Sequence, residues 1–126
     1  MYSIAIQRAF SANHFLVGGD WGPENQPHTH QYRVEVRVSG QQLDHHGFLI
    51  DIVDLESRLE KVLAIYQNKI LNDLSPFAGL NPSLEHFARI IAGDLVKEAL
   101  PSNVTSMVIR VWENEIAWAS FQQEFS

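Results

Sequence analysis

QYRVEVRVS, residues 31–39, is the clearest secondary-structure signal in the chain. Apolar residues alternate with polar or charged ones along this stretch, and the apolar set consists of Tyr32, Val34, Val36 and Val38. Because successive side chains of an extended chain point to opposite faces, the alternation predicts a strand with one buried and one solvated face.

Three further segments have strand character. Residues 2–10 carry apolar side chains at alternating positions and predict the first strand. Residues 105–112 and 116–122 are separated by three polar residues, which suits a hairpin. Between the first two strands, residues 15–29 collect Gly, Pro and Asp and predict a loop of about fifteen residues, a length typical of binding loops.

The middle of the chain predicts two helices. Asp51 can cap the first helix, and the second follows Asn81 as cap and Pro82 as first-turn residue. The second helix is expected to run for about sixteen residues and to end before Pro101. Residues 68–80 connect the two helices with one short turn. The helically spaced apolar residues are Ile52, Leu55, Leu59, Val62, Leu63 and Tyr66, then Leu84, Phe87, Ala88, Ile91 and Leu95.

This element order predicts an α+β fold. We expect a ββααββ chain with a four-stranded antiparallel sheet and two helices on one face. The length of 126 residues and the apolar fraction of 45% suit one domain that covers residues 1–126. Such a sheet keeps two open edges, which favour an oligomer.

Composition excludes several function classes. Nine basic residues against fifteen acidic ones give a net charge of −6 with no basic run, so we expect no nucleic-acid partner. The chain has no cysteine, and any metal must therefore be bound by His, Asp or Glu. The first ten residues lack the features of a signal peptide and no apolar run could span a bilayer, so we expect a cytoplasmic protein with no membrane partner.

Three histidines suggest a metal site. His28 and His30 lie two apart at the entrance to the second strand, where both imidazoles point to the same face. His14 ends the first strand and comes beside them if the two strands pair. Three imidazoles that leave a fourth position open are typical of catalytic zinc, although separate surface histidines are the alternative. His45 and His46 are interpreted as solvated turn residues that point in opposite directions.

Six segments occur in a fixed order along nearly the whole chain. They are FSANH (10–14), ENQPHTHQYRVEV (24–36), GFLIDIVDL (47–55), ILND (70–73), NPSLEHFA (81–88) and VIRVWENEIAWASF (108–121). In this order and spacing the sequence resembles the 6-pyruvoyl-tetrahydropterin synthase and 6-carboxy-tetrahydropterin synthase family. The resemblance implies the tunnelling fold (T-fold), in which such subunits form a trimeric barrel and two trimers stack into a homohexamer.

The resemblance also implies residue roles. In that family the histidines that match His14, His28 and His30 bind Zn²⁺, which holds the side chain of 7,8-dihydroneopterin triphosphate. The family's late glutamate, which anchors the pterin ring, matches Glu113, although a hairpin-turn acid is the alternative. Ser83 stands where the family usually has a threonine that helps to hold the pterin, and it equally suits a helix cap.

One departure from the family concerns its catalytic base. The family's CxxxHGH segment, in which the cysteine is the base, corresponds to ENQPHTH here, so Glu24 replaces the thiol. A subgroup with this glutamate cleaves the substrate side chain to 6-hydroxymethyl-7,8-dihydropterin, a folate precursor. The resemblance therefore implies a zinc-dependent pterin lyase with Glu24 as the base. The alternatives are 6-carboxy- or 6-pyruvoyl-tetrahydropterin synthase activity, an inactive zinc- and pterin-binding homologue, and a structural oligomer without metal.

A second departure concerns the second proton transfer of the family's reaction: either another group supplies it, or the protein has lost the reaction and keeps its pterin pocket and zinc. Gln67 and Asn68 stand where the family usually has an Asp-His pair, and neither side chain can shuttle protons. His45, His46, Asp73 or water are the candidate replacements, and the sequence does not choose between them.

Overall fold

In the computed structural model, which describes residues 1–126, two helices cover one face of a four-stranded antiparallel sheet. The elements are β1 (Tyr2–His14), β2 (His28–Gly40), α1 (Ile52–Tyr66), α2 (Leu84–Leu95), β3 (Ser106–Trp112) and β4 (Trp118–Glu124). The strands lie in the order β1-β2-β3-β4, so β1 and β4 are the free edges. The predicted fold class and ββααββ order are confirmed. No helix is both long and apolar enough to cross a membrane.

The alternation in β2 separates the two faces of the sheet. Val34, Val36 and Val38 have no exposed surface, whereas Arg33 and Arg37 are exposed. The buried side packs against the helices in one cluster of 26 apolar residues. Since burial of such a side chain contributes about 1.5–3 kcal/mol, a one-residue slip of β2 would lose several of these contributions together.

β1 and β2 both extend beyond the alternating stretches 2–10 and 31–39, as far as the histidines expected at their ends. β1 continues to His14, and β2 begins at His28, where the two histidines form the last pair of the ladder. The loop between them shrinks to residues 15–27 and contains a 3-10 turn at Gly22–Asn25. The alternation of burial continues at this end of β1, where Phe10, Ala12 and His14 are buried and Ser11 and Asn13 are partly exposed. The polar side chains do not end the strand, because backbone pairing does not require apolar side chains.

The first helix starts as predicted and the second does not. The side chain of Asp51 accepts a hydrogen bond from the backbone N–H of Val53, at 2.9 Å, and caps α1. The cap of α2 is Ser83, not Asn81, and Pro82 therefore lies before the helix. α2 has 12 residues and ends earlier than expected.

Two connections also differ from the prediction. Residues 68–80 contain two 3-10 turns instead of one. β4 begins at Trp118, and Ile116 is 90% exposed. The reason is that the side chain of Asn114 accepts the N–H groups of the two residues before Trp118, which keeps Ile116 in the turn.

Candidate metal centre

The β1–β2 ladder brings three histidines together. His14 lies directly opposite His28, and His30 is its diagonal neighbour on the same face. The ring centroids are 4.6 Å apart for His14 and His28, 4.7 Å for His14 and His30, and 4.8 Å for His28 and His30. The three imidazoles therefore form a nearly equilateral triangle at the end of the two strands.

Glu24 completes the cluster. It lies in the Gly22–Asn25 turn, and its Oε2 is 2.9 Å from Nε2 of His28. One ligand atom from each of His14, Glu24, His28 and His30 lies within 4.8 Å of the others. Tetrahedral zinc, with bonds of about 2.0–2.1 Å, spaces its ligand atoms by about 3.3 Å. Imidazoles and carboxylates are ordinary zinc ligands, so the donor set and its size fit this ion.

Outer hydrogen bonds orient two of the imidazoles. Nδ1 of His28 lies 2.8 Å from the carbonyl oxygen of Gln26, so this nitrogen donates and Nε2 faces the cluster. Nδ1 of His14 lies 2.7 Å from the hydroxyl of Tyr32. Such outer contacts orient metal-binding histidines.

The environment keeps His14 neutral. His14 is 4% exposed, and burial, followed by the nearby His30 and His28, lowers its pKa to about 4. Burial and the charges of Glu113 and Glu24 raise the pKa of Tyr32, which therefore keeps its proton. At neutral pH the imidazole of His14 therefore lacks the extra proton that would compete with a metal ion.

Tyr32 was not predicted as part of the site. In the sequence it belongs to the apolar face of β2, and it is indeed 1% exposed and stacked on Phe10. The signal was its spacing, because a residue two positions after His30 shares the face of both strand histidines.

Two asparagine side chains fix the chain as it leaves His14. Asn72 accepts the N–H of Phe15 at 3.0 Å and donates to its carbonyl oxygen at 2.9 Å. Asn81 makes the same pair of bonds to Val17, at 2.8 and 3.0 Å. This second pair explains why Asn81 does not cap α2, since its side chain is already engaged.

A third asparagine holds the turn that carries Glu24. Asn25 accepts the N–H of Trp21 at 2.8 Å and donates to the carbonyl oxygens of Leu16 and Gly19, both at 3.0 Å. The N–H of Leu16 also donates to the carbonyl oxygen of Glu24, at 2.8 Å. The backbone of Glu24 is therefore fixed relative to the end of β1, while its side chain is 48% exposed.

Glu113 lies on the same side of the sheet as the cluster. It follows the last β2–β3 pair, Arg33 with Trp112, and continuation of that register sets it across from Tyr32. Ser83 is a helix cap, because its hydroxyl accepts the backbone N–H of His86 at 3.1 Å. Contact of Glu113 or Ser83 with a pterin stays a prediction.

The residues that replace the Asp-His pair lie against β1 outside the four-residue cluster. Gln67 accepts the N–H of Ser11 at 3.3 Å, and the N–H of Asn68 donates to the carbonyl oxygen of Ser11 at 2.7 Å. Both side chains are exposed. Asp73 follows Asn72, whose side chain binds the backbone of Phe15, the residue directly after His14.

His45 and His46 lie beyond the far end of β2. The 13 residues of that strand separate them from His28 by about 40 Å at about 3.3 Å per residue. Within one chain they are therefore too distant to replace the Asp-His pair. Both are exposed turn residues, as predicted. Their ring centroids are 3.9 Å apart with the planes tilted by 41°, contrary to the prediction that the side chains point in opposite directions, because the segment is a turn and not an extended chain.

Comparisons with known proteins agree on one family. A sequence model described as 6-pyruvoyl tetrahydropterin synthase matches residues 3–124. A Plasmodium vivax 6-pyruvoyltetrahydropterin synthase, in a variant whose catalytic glutamate is replaced by cysteine, has 16% identity, 98% coverage of both chains and a TM-score of 0.81. The Caenorhabditis elegans 6-pyruvoyl tetrahydropterin synthase has 23% identity, coverage of 100% of this chain and 98% of that one, and a TM-score of 0.76. No curated protein sequence matches the chain. At these identities the structural likeness shows a shared fold, the tunnelling fold expected from the sequence.

Proposed function

The chain belongs to the 6-pyruvoyl tetrahydropterin synthase family, and on that basis we propose that it is a zinc-dependent lyase that cleaves the side chain of 7,8-dihydroneopterin triphosphate to give 6-hydroxymethyl-7,8-dihydropterin. Enzymes of this family are lyases of pterin metabolism. The observation that supports the finer assignment is the Glu24 carboxylate, which lies 2.9 Å from His28 within the histidine cluster and in the position of the family's base.

His14, His28 and His30 would bind the zinc ion. When bound, the ion polarises a substrate oxygen and so acidifies the groups attached to the same carbon. The outer contacts of His14 and His28 hold these two imidazoles in place. This arrangement leaves one carboxylate as the titratable side chain next to the imidazoles.

Glu24 would act as the base. Cleavage starts when the carboxylate takes the proton of the hydroxyl on the second side-chain carbon. The bond between the first and second carbons breaks, its electrons pass to the carbon attached to the ring, and the released fragment becomes an aldehyde. The ring-bound carbon then needs a proton, which the newly formed carboxylic acid of Glu24 can return.

The absence of the family's Asp-His pair is consistent with this use of one residue. Gln67 and Asn68 cannot transfer protons, and both lie against Ser11 outside the cluster. A reaction in which one carboxylate takes and returns the proton does not need the missing pair. The same absence favours a second candidate function, a protein that binds zinc and pterin without turnover.

Glu113 would select the pterin ring. A carboxylate can accept two parallel N–H bonds from the amino-pyrimidine edge, which is a charge-assisted and geometrically specific contact. Its register position beside Tyr32 directs it to the same face as the histidines. The hydroxyl of Ser83, at the start of α2, is the proposed second contact to the ring.

We further propose a homohexamer made of two trimers. β1 and β4 are unpaired edges, which can join the sheets of neighbouring subunits. The face of the sheet opposite the helices carries Glu35, which is 6% exposed. Gln7 donates a hydrogen bond to its carboxylate at 3.0 Å, and the guanidinium of Arg110 lies 4.0 Å away. Sedimentation at micromolar concentration is expected to give six subunits, and a monomer would contradict the assembly.

The experiment that tests the proposed activity is product identification. Zinc-loaded protein is incubated with 7,8-dihydroneopterin triphosphate, and the pterin product is identified by its mass. The proposal expects 6-hydroxymethyl-7,8-dihydropterin. A 6-carboxy or 6-pyruvoyl product would contradict the proposed reaction and assign the corresponding synthase activity instead. If protein with a full zinc complement gave no product, the second candidate function, zinc and pterin binding without turnover, would be favoured.

A further inference from the structure

The Glu24 carboxylate faces Nε2 of His28. Nδ1 of His28 lies 2.8 Å from the carbonyl oxygen of Gln26, which can only accept, so Nδ1 donates and Nε2 points into the cluster. Oε2 of Glu24 lies 2.9 Å from this Nε2. A carboxylate oxygen and an imidazole nitrogen at this distance can bind one zinc ion together, because the ligand atoms of tetrahedral zinc are about 3.3 Å apart.

His30 adds a further potential metal-ligand atom to the same space. Its Nε2 lies 3.0 Å from Nε2 of His28, so the carboxylate oxygen and two imidazole nitrogens converge. His14 completes the group of four. Closed zinc sites use four protein ligands, whereas catalytic sites use three and leave one position to water or substrate.

The turn that carries Glu24 suits a ligand that can leave. Its backbone is held by Asn25, through three hydrogen bonds of the side chain, and by the N–H of Leu16. The carboxylate itself is 48% exposed and can rotate into solvent. A fixed backbone returns the side chain to the cluster, and an exposed side chain can be displaced from it.

We propose that Glu24 is the fourth metal ligand when no substrate is present, and that an incoming ligand must displace it. This inference rests on the zinc binding assigned under the proposed function. It goes beyond the role of Glu24 as base, because the carboxylate becomes free to take a proton only after displacement. The resting protein then has a closed site of three histidines and one carboxylate.

The first test measures metal affinity. Glu24→Gln removes the charge and keeps the shape, and Asp20→Asn removes a carboxylate from the same loop as a matched control. Asp20 only accepts the N–H of Gly22, at 3.1 Å, which an asparagine oxygen can also do. Since loss of an outer-shell partner already weakens metal binding about 10–100-fold, loss of a direct ligand should weaken zinc binding at least about tenfold. Competition with a chelator is expected to show this for Glu24→Gln and no change for Asp20→Asn.

The second test measures access to the open position. Co²⁺ replaces zinc, and azide is titrated while the visible absorption of the metal is recorded. The parent is expected to bind azide at least tenfold more weakly than Glu24→Gln, because azide must displace the carboxylate. Equal zinc affinity and equal azide affinity in the two proteins would overturn the inference.

Neither measurement uses a pterin. If the parent cleaves the pterin but these affinities do not change, the proposed function stands and the inference fails. If the affinities change as expected but no pterin is cleaved, the inference stands and the lyase assignment fails. Circular dichroism of Glu24→Gln checks that the variant is folded before either comparison.

Discussion

Nδ1 of His14 lies 2.7 Å from the hydroxyl of Tyr32, and both residues are buried. If the imidazole donates to this phenol oxygen, Nε2 is left as a free lone pair for the metal. The contact therefore links a core tyrosine of β2 to the chemistry of the cluster.

Removal of that hydroxyl should weaken metal binding. Tyr32→Phe keeps the packing against Phe10 but leaves Nδ1 of His14 without its partner. We expect zinc affinity to fall about 10–100-fold, which is typical of outer-shell partners. Tyr66→Phe is the control, because it removes a buried hydroxyl that bonds to Asp94. If both variants bound zinc as the parent does, Tyr32 would be a core residue only.

The pKa of His14 should be measurable without metal. We expect its imidazole to titrate at about 4, well below the 6.5 of an exposed histidine, mainly because burial penalises the charge. The unfolded chain then binds the proton first, so this residue's contribution to stability is complete above pH 6.5 and is lost as the pH falls toward 4. NMR titration of the metal-free protein and urea unfolding at several pH values check the two statements. A midpoint near 6.5 would contradict the buried environment.

Loss of the strand histidines should remove the metal. The double variant His28→Ala, His30→Ala removes two of the three proposed imidazole ligands, and we expect it to lose the one zinc per subunit proposed for the parent. The double variant His45→Ala, His46→Ala is matched in number and type and is expected to keep it, because that pair lies beyond the other end of β2. Elemental analysis of the folded proteins measures the zinc content of each variant. Full zinc content in the first variant would contradict the site.

The pterin anchor can be tested by binding alone. Glu113→Gln replaces one acceptor oxygen by a donor, and loss of a hydrogen bond to a charged group should weaken neopterin binding by about 1.5–3 kcal/mol. Glu115→Gln, an exposed acid in the same hairpin, is the control and should leave affinity unchanged. Calorimetry gives both values. Equal affinities for the parent and Glu113→Gln would assign the anchor to another residue.

Much of the fold was predictable because its signals are local. The alternation in residues 31–39 and the helical spacing after Asp51 depend on near neighbours in the chain, and both predictions are confirmed. The ends of β1 and β2 were not predictable in the same way, since polar residues there are held by ladder pairing between distant segments. The cap of α2 depended on a contact between Asn81 and Val17, 64 residues apart in the chain.

The candidate site likewise combines features that near neighbours in the sequence predict with features that depend on contacts between distant segments. The spacing of His28 and His30 indicated a shared face, and the pairing of β1 with β2 was needed to add His14. Tyr32 resembled a core residue until the structure placed its hydroxyl beside His14. Glu24 was singled out by resemblance, and its distance from His28 depends on a turn held by Asn25.

The central claim is that Glu24 moves the proton in a zinc-dependent cleavage. The most direct measurement is the rate of 6-hydroxymethyl-7,8-dihydropterin formation per bound zinc, in the parent, Glu24→Gln and Asp20→Asn at saturating zinc. A general base contributes about 10²–10⁴-fold, so the rate of Glu24→Gln should fall by that factor while Asp20→Asn keeps the parent rate. Turnover of Glu24→Gln at the parent rate per bound zinc would contradict the account.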